Sequence, residues 1–271
     1  MAHHTANALF PKEGIAPTRL VIPEHSKIAL FLFALNQPPQ TYPHFAAWLT
    51  EPEWQSALLS ADKSPAPRVK KALSRAMLRF ALSEITGVAP RDFQFAYDGQ
   101  RPILTPSFGI LADFNLSHSG DFMLVGAIVA PNPFFRIGVD IELLSLSRNV
   151  EKLRARELTA SENQTLDLLP TPQRKARFLT YWALKEAFAK AHGAGFSKLG
   201  GFKTIEMDVP LPSDAGDFSP ASLSLSGKEP FARALPAGEH PRDWRFFLPR
   251  FPPDTPQTMI AAVGVRGFGK K

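Results

Sequence analysis

Apolar and polar positions recur along this chain with two periods, and the switches between them mark out its elements. Ile28 to Leu35 is a continuous apolar run that stops at Asn36-Gln37-Pro38, the signature of a buried strand. Over 68–86, Leu73, Met77, Leu78, Phe80, Ala81 and Ile85 make one broad apolar face, and Gly87 follows, which predicts a helix with a glycine at its end. Phe93 to Tyr97 alternates as a short strand before an Asp98-Gly99 turn. A strand then runs from Phe114 into the polar turn at Gly120, and Phe122 to Ala130 is apolar enough for a core strand. Pro131-Asn132-Pro133 breaks the chain before a strand around Asp140.

The second half repeats the theme. The pattern predicts a helix over 151–168 and a longer one over about 172–192, with Pro172 in its first turn and Gly193 at its end. From Pro210 to Pro256 the chain is rich in Pro, Gly and Ser, with short strands expected at Leu223–Leu225, Trp244–Leu248 and, just beyond, Met259–Val265. No short repeat interrupts this order.

Composition changes the picture in three ways. At 271 residues and 44% hydrophobic, the chain can bury one large core or two of roughly 130 residues each. No apolar run reaches the ~18 residues of a membrane helix, and the first one begins too far from Met1, after Glu24, to resemble a signal peptide. The expected compartment is the cytoplasm. Zero cysteines exclude a disulfide framework, thiolate zinc, iron–sulfur clusters and a cysteine nucleophile. His3 and His4 read as a mobile terminus. A net charge of +6 favours an acidic partner, and Arg68, Lys70, Lys71, Arg75 and Arg79 gather within twelve residues free of acids. The plain reading of that run is a solvated helix face.

The candidate chemistry lies in Ile137-Gly138-Val139-Asp140-Ile141-Glu142 and in Trp182-Ala183-Leu184-Lys185-Glu186-Ala187-Phe188-Ala189-Lys190. Residues two apart in a strand share a face, so Asp140 and Glu142 project together while Val139 and Ile141 pack the other way. Trp182, Glu186 and Lys190 recur every four residues and form one helix stripe. Adjacent carboxylates repel unless a cation lies between them, and the set reads as a divalent-metal site that handles phosphate. Trp182 itself reads as core packing between helix and sheet.

Taken with Phe114-Asn115-Leu116-Ser117-His118-Ser119, these blocks resemble, in order and approximate spacing, the Sfp-type 4′-phosphopantetheinyl transferases. His192-Gly193-Ala194-Gly195-Phe196-Ser197 is similar to the glycine-rich turn after that family's long helix, and Leu158-Thr159-Ala160-Ser161-Glu162 resembles its further acidic segment. The likeness spans about residues 68–200.

The resemblance implies an α/β (α+β) enzyme of two similar halves related by a pseudo-twofold, 1–133 and 134–271, with coenzyme A in the cleft between them and the metal site in the second. The implied reaction moves 4′-phosphopantetheine from coenzyme A to a serine of an acyl or peptidyl carrier protein and releases 3′,5′-ADP. Asp140, Glu142 and Glu186 are the implied Mg²⁺ ligands, since Mg²⁺ takes oxygen donors together with substrate phosphates. Lys190 reaches the same phosphates, with Lys185 a quarter turn away. Ser117 and His118 contact coenzyme A phosphate by analogy, and Lys70 and Arg101 add to a 3′-phosphate pocket. The family's glycine directly before the basic residue and proline is replaced here, in Gly99-Gln100-Arg101-Pro102. A serine hydroxyl needs a base, and Glu162 and Glu186 are both offered for that duty.

The expected partner is an acidic carrier protein, met by a monomer with no nucleic-acid or membrane partner. Two other classes fit parts of the pattern. A metal-dependent nuclease would use an Asp-x-Glu pair and a lysine, but its lysine follows the acids on the same sheet rather than on a long helix. A non-catalytic carrier-protein-binding or nucleotide-binding homologue would have lost a metal ligand, and all three are present.

Overall fold

The structure, a computed structural model, describes residues 18–20, 28–37, 41–58, 66–98, 101–105, 109–130, 132–145, 149–195, 197–210, 229–249, 251 and 259–267. Strands β1 (Thr18–Leu20), β2 (Ile28–Ala34), β5 (Ala112–Ser119) and β6 (Phe122–Val129) form an antiparallel sheet in the order β1-β2-β6-β5. A second antiparallel sheet orders β10 (Trp244–Phe247), β11 (Met259–Arg266) and β7 (Arg136–Leu143). Two two-stranded antiparallel sheets complete the set, β3 (Phe95–Asp98) with β4 (Arg101–Leu104) and β8 (Glu206–Asp208) with β9 (Phe231–Ala234). The helices are α1 (Tyr42–Ala46), α2 (Glu51–Leu58), α3 (Ala66–Thr86), α4 (Val150–Glu157), α5 (Ala160–Asp167) and α6 (Thr171–His192).

Burial follows from the two periods. Leu73, Met77, Phe80 and Ala81 of α3 pack on Phe31, Phe33, Val125 and Ala127 of the first sheet, with Phe80 edge-on to Phe31 and Phe33. The opposite face of that sheet, with Leu30, Leu124 and Ile128, meets Ile137, Val139, Ile141 and Val263 of the second. Beyond it, α6 lays Ala183, Leu184, Ala187, Phe188 and Ala191 against Ile260, Ala262 and Phe246. The result is four layers, helix, sheet, sheet, helix.

Two glycines permit these approaches. A Cβ on Gly126 would stand 2.3 Å from Val139 Cγ1, so β6 reaches β7 because residue 126 has none. A Cβ on Gly138 would stand 2.0 Å from the Ala187 carbonyl oxygen and 2.5 Å from the Ala191 amide nitrogen. The backbone of α6 therefore lies directly on β7, which brings Glu186 and Lys190 alongside Asp140.

The two sheets are also joined edge to edge, by side chains instead of a backbone ladder. Asp113 Oδ2 accepts from the Ile137 amide (2.8 Å), Asn115 Oδ1 from Val139 (3.2 Å) and Ser119 Oγ from Leu143 (3.1 Å). The constant offset of 24 residues means that β5 and β7 run parallel. At the third position of this series, between Asn115 and Ser119, Ser117 instead turns its hydroxyl to Asp140.

Some expectations change. The helix predicted over 151–168 is two, because Thr159 ends one and starts the next: its hydroxyl accepts from the Glu162 amide while the Glu162 carboxylate accepts from the Thr159 amide, a capping box. The early strand ends at Ala34, the strand expected over Phe93–Tyr97 runs Phe95–Asp98, and β8 and β9 are added. The basic run on α3 is not one solvated face: Arg79 is buried, donating to the carbonyls of Pro90 and Phe93 and pairing with Glu53. Arg75 donates to the Tyr97 hydroxyl and lies over the Phe95 ring. His3, His4 and Leu223–Leu225 lie outside the described residues. Among those residues no helix is long and apolar enough to cross a membrane.

Candidate active site at the junction of β5, β7 and α6

Period two on β7 sends Ile137, Val139, Ile141 and Leu143 into the core between the sheets and leaves Gly138, Asp140 and Glu142 facing α6. Asp140 and Glu142 are only 4% and 5% exposed. Lys190 comes down from α6, and its ammonium uses all three protons: to Asp140 Oδ1 at 2.7 Å, to Ser117 Oγ at 2.9 Å and to the Val139 carbonyl at 3.2 Å. Ser117 closes the triangle by donating to Asp140 Oδ1 at 2.7 Å. Three motifs more than twenty residues apart in sequence thus share one hydrogen-bonded cluster. Glu186, one turn before Lys190 on α6, is half-buried.

Hard oxygen donors on β7 and α6 suit Mg²⁺ in kind. Among the described residues, no three His, Cys, Asp or Glu side chains gather closely enough to cage a metal ion. Mg²⁺ does not need such a cage, since it is commonly held by one or two carboxylates with substrate phosphates and water.

His118 follows Ser117 on β5 and so faces the other way, towards α3, where its Nε2 lies 3.0 Å from Ser74 Oγ. The ring keeps solvent access, yet desolvation of its inner edge, and then the ammonium groups of Lys190 and Lys70, hold the imidazole below its usual range. Lys70, one turn before Ser74, pairs with Asp121 in the β5–β6 turn at 2.5 Å. Lys70, His118 and Ser117 therefore surround one end of β5.

Arg101 does not join them. It donates to Asp113 Oδ2 (2.6 Å), to the Ala191 carbonyl (3.0 Å) and to the Ile137 carbonyl (3.4 Å). Asp113 precedes His118 by five residues on β5, about 16 Å at the rise of a strand. Arg101 thus clamps β4 to β5, β7 and the last turn of α6. Burial pushes the Asp113 carboxyl up, and Arg101 beside it opposes that shift. Around the clamp opens a cavity of about 900 Å³, where Arg101, Arg136, His192, Lys198 and Arg266 outnumber the acids Asp98 and Asp113.

Glu162 and Lys185 pair with each other inside the second half. Glu162 is 1% exposed and Lys185 is fully buried. The ammonium donates to Glu162 Oε2 at 2.6 Å and to the carbonyls of Glu157 and Phe202 at 3.2 Å, while Glu162 Oε1 accepts from the Met207 amide. Burial pushes the Lys185 ammonium below its ordinary range, against the pull of Glu162. This pair ties α4, α5, α6 and the start of β8 together. Trp182 stacks on Phe202 and packs against the α6 core, as its reading as a packing residue required.

The chain that carries this cluster has relatives among known proteins. HetI of Nostoc sp. (strain PCC 7120), named a 4′-phosphopantetheinyl transferase, is 34% identical over 177 residues, which cover 64% of this chain and 71% of that one. The chain belongs to the 4′-phosphopantetheinyl transferase superfamily. The superfamily's model matches residues 136–224, from the first residue of β7 onwards. A putative 4′-phosphopantetheinyl transferase of Synechocystis sp. (strain PCC 6803), slr0495, is 30% identical over 186 residues, covering 64% of this chain and 73% of that one. The transferase psf-1 of Bacillus pumilus is 31% identical over 129 residues, or 46% and 50% of the two chains. In this superfamily member, the sequence reading missed the seam residues Asp113, Asn115 and Ser119. Their signal was present as polar residues at every second position of β5, on the face opposite Phe114 and Leu116.

Proposed function

We propose that the protein transfers 4′-phosphopantetheine from coenzyme A to a serine of an acyl or peptidyl carrier protein. The observation that carries this reading is the Ser117–Asp140–Lys190 cluster, which unites β5, β7 and α6 in a member of the 4′-phosphopantetheinyl transferase superfamily. Around the Arg101 clamp, towards the Asp113 end of β5, the cavity with its excess of basic groups suits an anionic ligand of nucleotide size.

One or two of the carboxylates Asp140, Glu142 and Glu186 would hold Mg²⁺ together with substrate phosphate and water, and the ion would neutralise charge on the pyrophosphate. Lys190 then shares its protons between Asp140 and the phosphate oxygens. The acceptor serine oxygen forms a bond to the pantetheine-side phosphorus as the pyrophosphate P–O bond breaks and 3′,5′-ADP leaves. The serine proton passes to Glu186, directly or through a water. Glu186 has this role in preference to Glu162, whose two oxygens are already occupied by Lys185, Thr159 and Met207 in a dry interior. His118 and Lys70 meet phosphate at the far end of β5, and Arg101 shapes the cleft through its clamp.

The partner is an acidic carrier protein drawn to a chain of net charge +6, in the cytoplasm. Mass spectrometry of an apo-carrier protein incubated with the enzyme, coenzyme A and Mg²⁺ tests the reading. One added phosphopantetheine per carrier, lost when Mg²⁺ is chelated, is the expected result. An unmodified carrier across acyl and peptidyl types overturns it.

A further inference from the structure

Ser74 lies on the face of α3 that looks at β5, and its hydroxyl has two neighbours. One is the Lys70 carbonyl, 2.7 Å away and one turn back on the same helix; the other is His118 Nε2 at 3.0 Å. A serine hydroxyl carries a single proton. The carbonyl can only accept, so the proton goes to Lys70, as is usual for a serine inside a helix. Towards His118 the oxygen is then left as an acceptor, and Nε2 must bring its own hydrogen. In the neutral ring the other nitrogen, Nδ1, is consequently unprotonated, and among the described residues it has no hydrogen-bond partner.

We infer that Ser74 is a positioning residue that holds His118 as the tautomer protonated at Nε2, so that the ring meets any ligand through Nδ1. The geometry depends on nothing outside the ligand-free protein. Its consequence for binding rests on the proposed reading that His118 meets a coenzyme A phosphate. A bare Nδ1 accepts and cannot donate, so a phosphate dianion beside it requires one more proton than the separated partners carry. The charged groups around the ring are Lys70 on α3, Asp121 in the β5–β6 turn paired with it, and Lys190 on α6 with its partner Asp140. The two lysines raise the cost of placing that proton on the ring itself.

Nitrogen NMR of ¹⁵N-histidine-labelled, ligand-free protein, well above the imidazole range of about 6.5, reads the tautomer directly. His118 in the wild type is expected to show the pattern of a ring protonated at Nε2. Ser74→Ala should shift the ring towards a mixture with the Nδ1-protonated form, and Ser74→Thr, which keeps a hydroxyl there, should restore the wild-type pattern. A wild-type ring protonated at Nδ1, or a Ser74→Ala spectrum identical to wild type, overturns the inference. The ligand arm compares affinities for coenzyme A and 3′-dephospho-coenzyme A. Their ratio should fall with rising pH by up to about tenfold per unit in the wild type and more gently in Ser74→Ala. If the NMR result holds while the two pH profiles coincide, the phosphate does not meet His118; that outcome refutes the coenzyme A reading of the ring and leaves the hold of Ser74 on it established.

Discussion

Lys190 Nζ stands 2.7 Å from Asp140 Oδ1, and the same oxygen accepts from Ser117 at 2.7 Å. On the proposed reading a phosphate and its counter-ion would take the ground the ammonium now occupies, so Lys190 would exchange its internal ion pair for the substrate. The Asp140 carboxylate is almost wholly buried, whereas Lys190 keeps some solvent access. Exchange of partners at Lys190 therefore costs less than removal of Asp140 from its place.

Asp140→Ala is expected to abolish transfer to carrier protein, below about one thousandth of wild type, with far-ultraviolet circular dichroism unchanged. Lys190→Ala should lower transfer by a hundredfold or more and also destabilise by about 1 to 3 kcal/mol, since it strands a buried carboxylate. Turnover assays and urea unfolding separate the two effects. Near-normal turnover of Asp140→Ala in excess chelator would sink the metal assignment.

The Lys185–Glu162 pair predicts the opposite balance. Both groups are dry, so Glu162→Gln or Lys185→Met, which leaves one partner uncompensated, should cost on the order of 3 to 5 kcal/mol. The double variant should recover part of that loss. Enzyme that remains folded should retain most of its turnover, because neither group reaches the Asp140 cluster. A Glu162→Gln variant of full stability and abolished turnover would return Glu162 to the role of base.

How far the site could be read from residues alone depends on the range of the interaction. Asp140 and Glu142 share a face because a strand has period two, and Glu186 precedes Lys190 by one helical turn, so both pairs were legible. The break at Thr159 was legible too, in Thr-x-x-Glu ahead of an apolar position, although the apolar spacing alone runs on through it. That Arg101 would find Asp113 and Ala191 rather than Lys70 was not, because a guanidinium carries no mark of which distant carboxylate will be brought beside it. The same holds for Lys185 and Glu162. The paired strands β8 and β9, of three and four residues, are too short for any period to show.

His118 makes stability depend on pH with a definite sign. Its folded-state value is depressed, so between that value and the usual 6.5 or so the unfolded chain binds more protons than the folded one. The contribution is complete above about 6.5 and is lost as pH falls through the folded value. Thermal midpoints measured between roughly pH 5 and 7 should decline with acidification in the wild type, and a His118→Gln variant should show a shallower decline. An equal slope in both would mean that desolvation, with Lys190 and Lys70, does not depress the ring.

The seam between β5 and β7 makes the sharpest structural prediction. Alternate amides of a strand point to opposite edges. On β7 those of Ile137, Val139 and Leu143 point to β5, which answers with side chains, while β11 pairs along the other edge. Asn115→Ala or Ser119→Ala removes the acceptor and leaves a buried amide unpaired, which costs about 1 to 3 kcal/mol each. No charge or large apolar group is lost, so the loss should appear first as local opening along this edge. Hydrogen exchange should speed up at the Val139 amide in the first variant and at Leu143 in the second, by roughly tenfold or more, with amides in the α3 core unchanged. Because Asp140 lies between those two amides on β7, the turnover number should fall in both variants while Asp140, Glu142 and Glu186 are all retained. Exchange at Val139 and Leu143 that matches wild type would mean that backbone neighbours, and not the β5 side chains, hold the two sheets edge to edge.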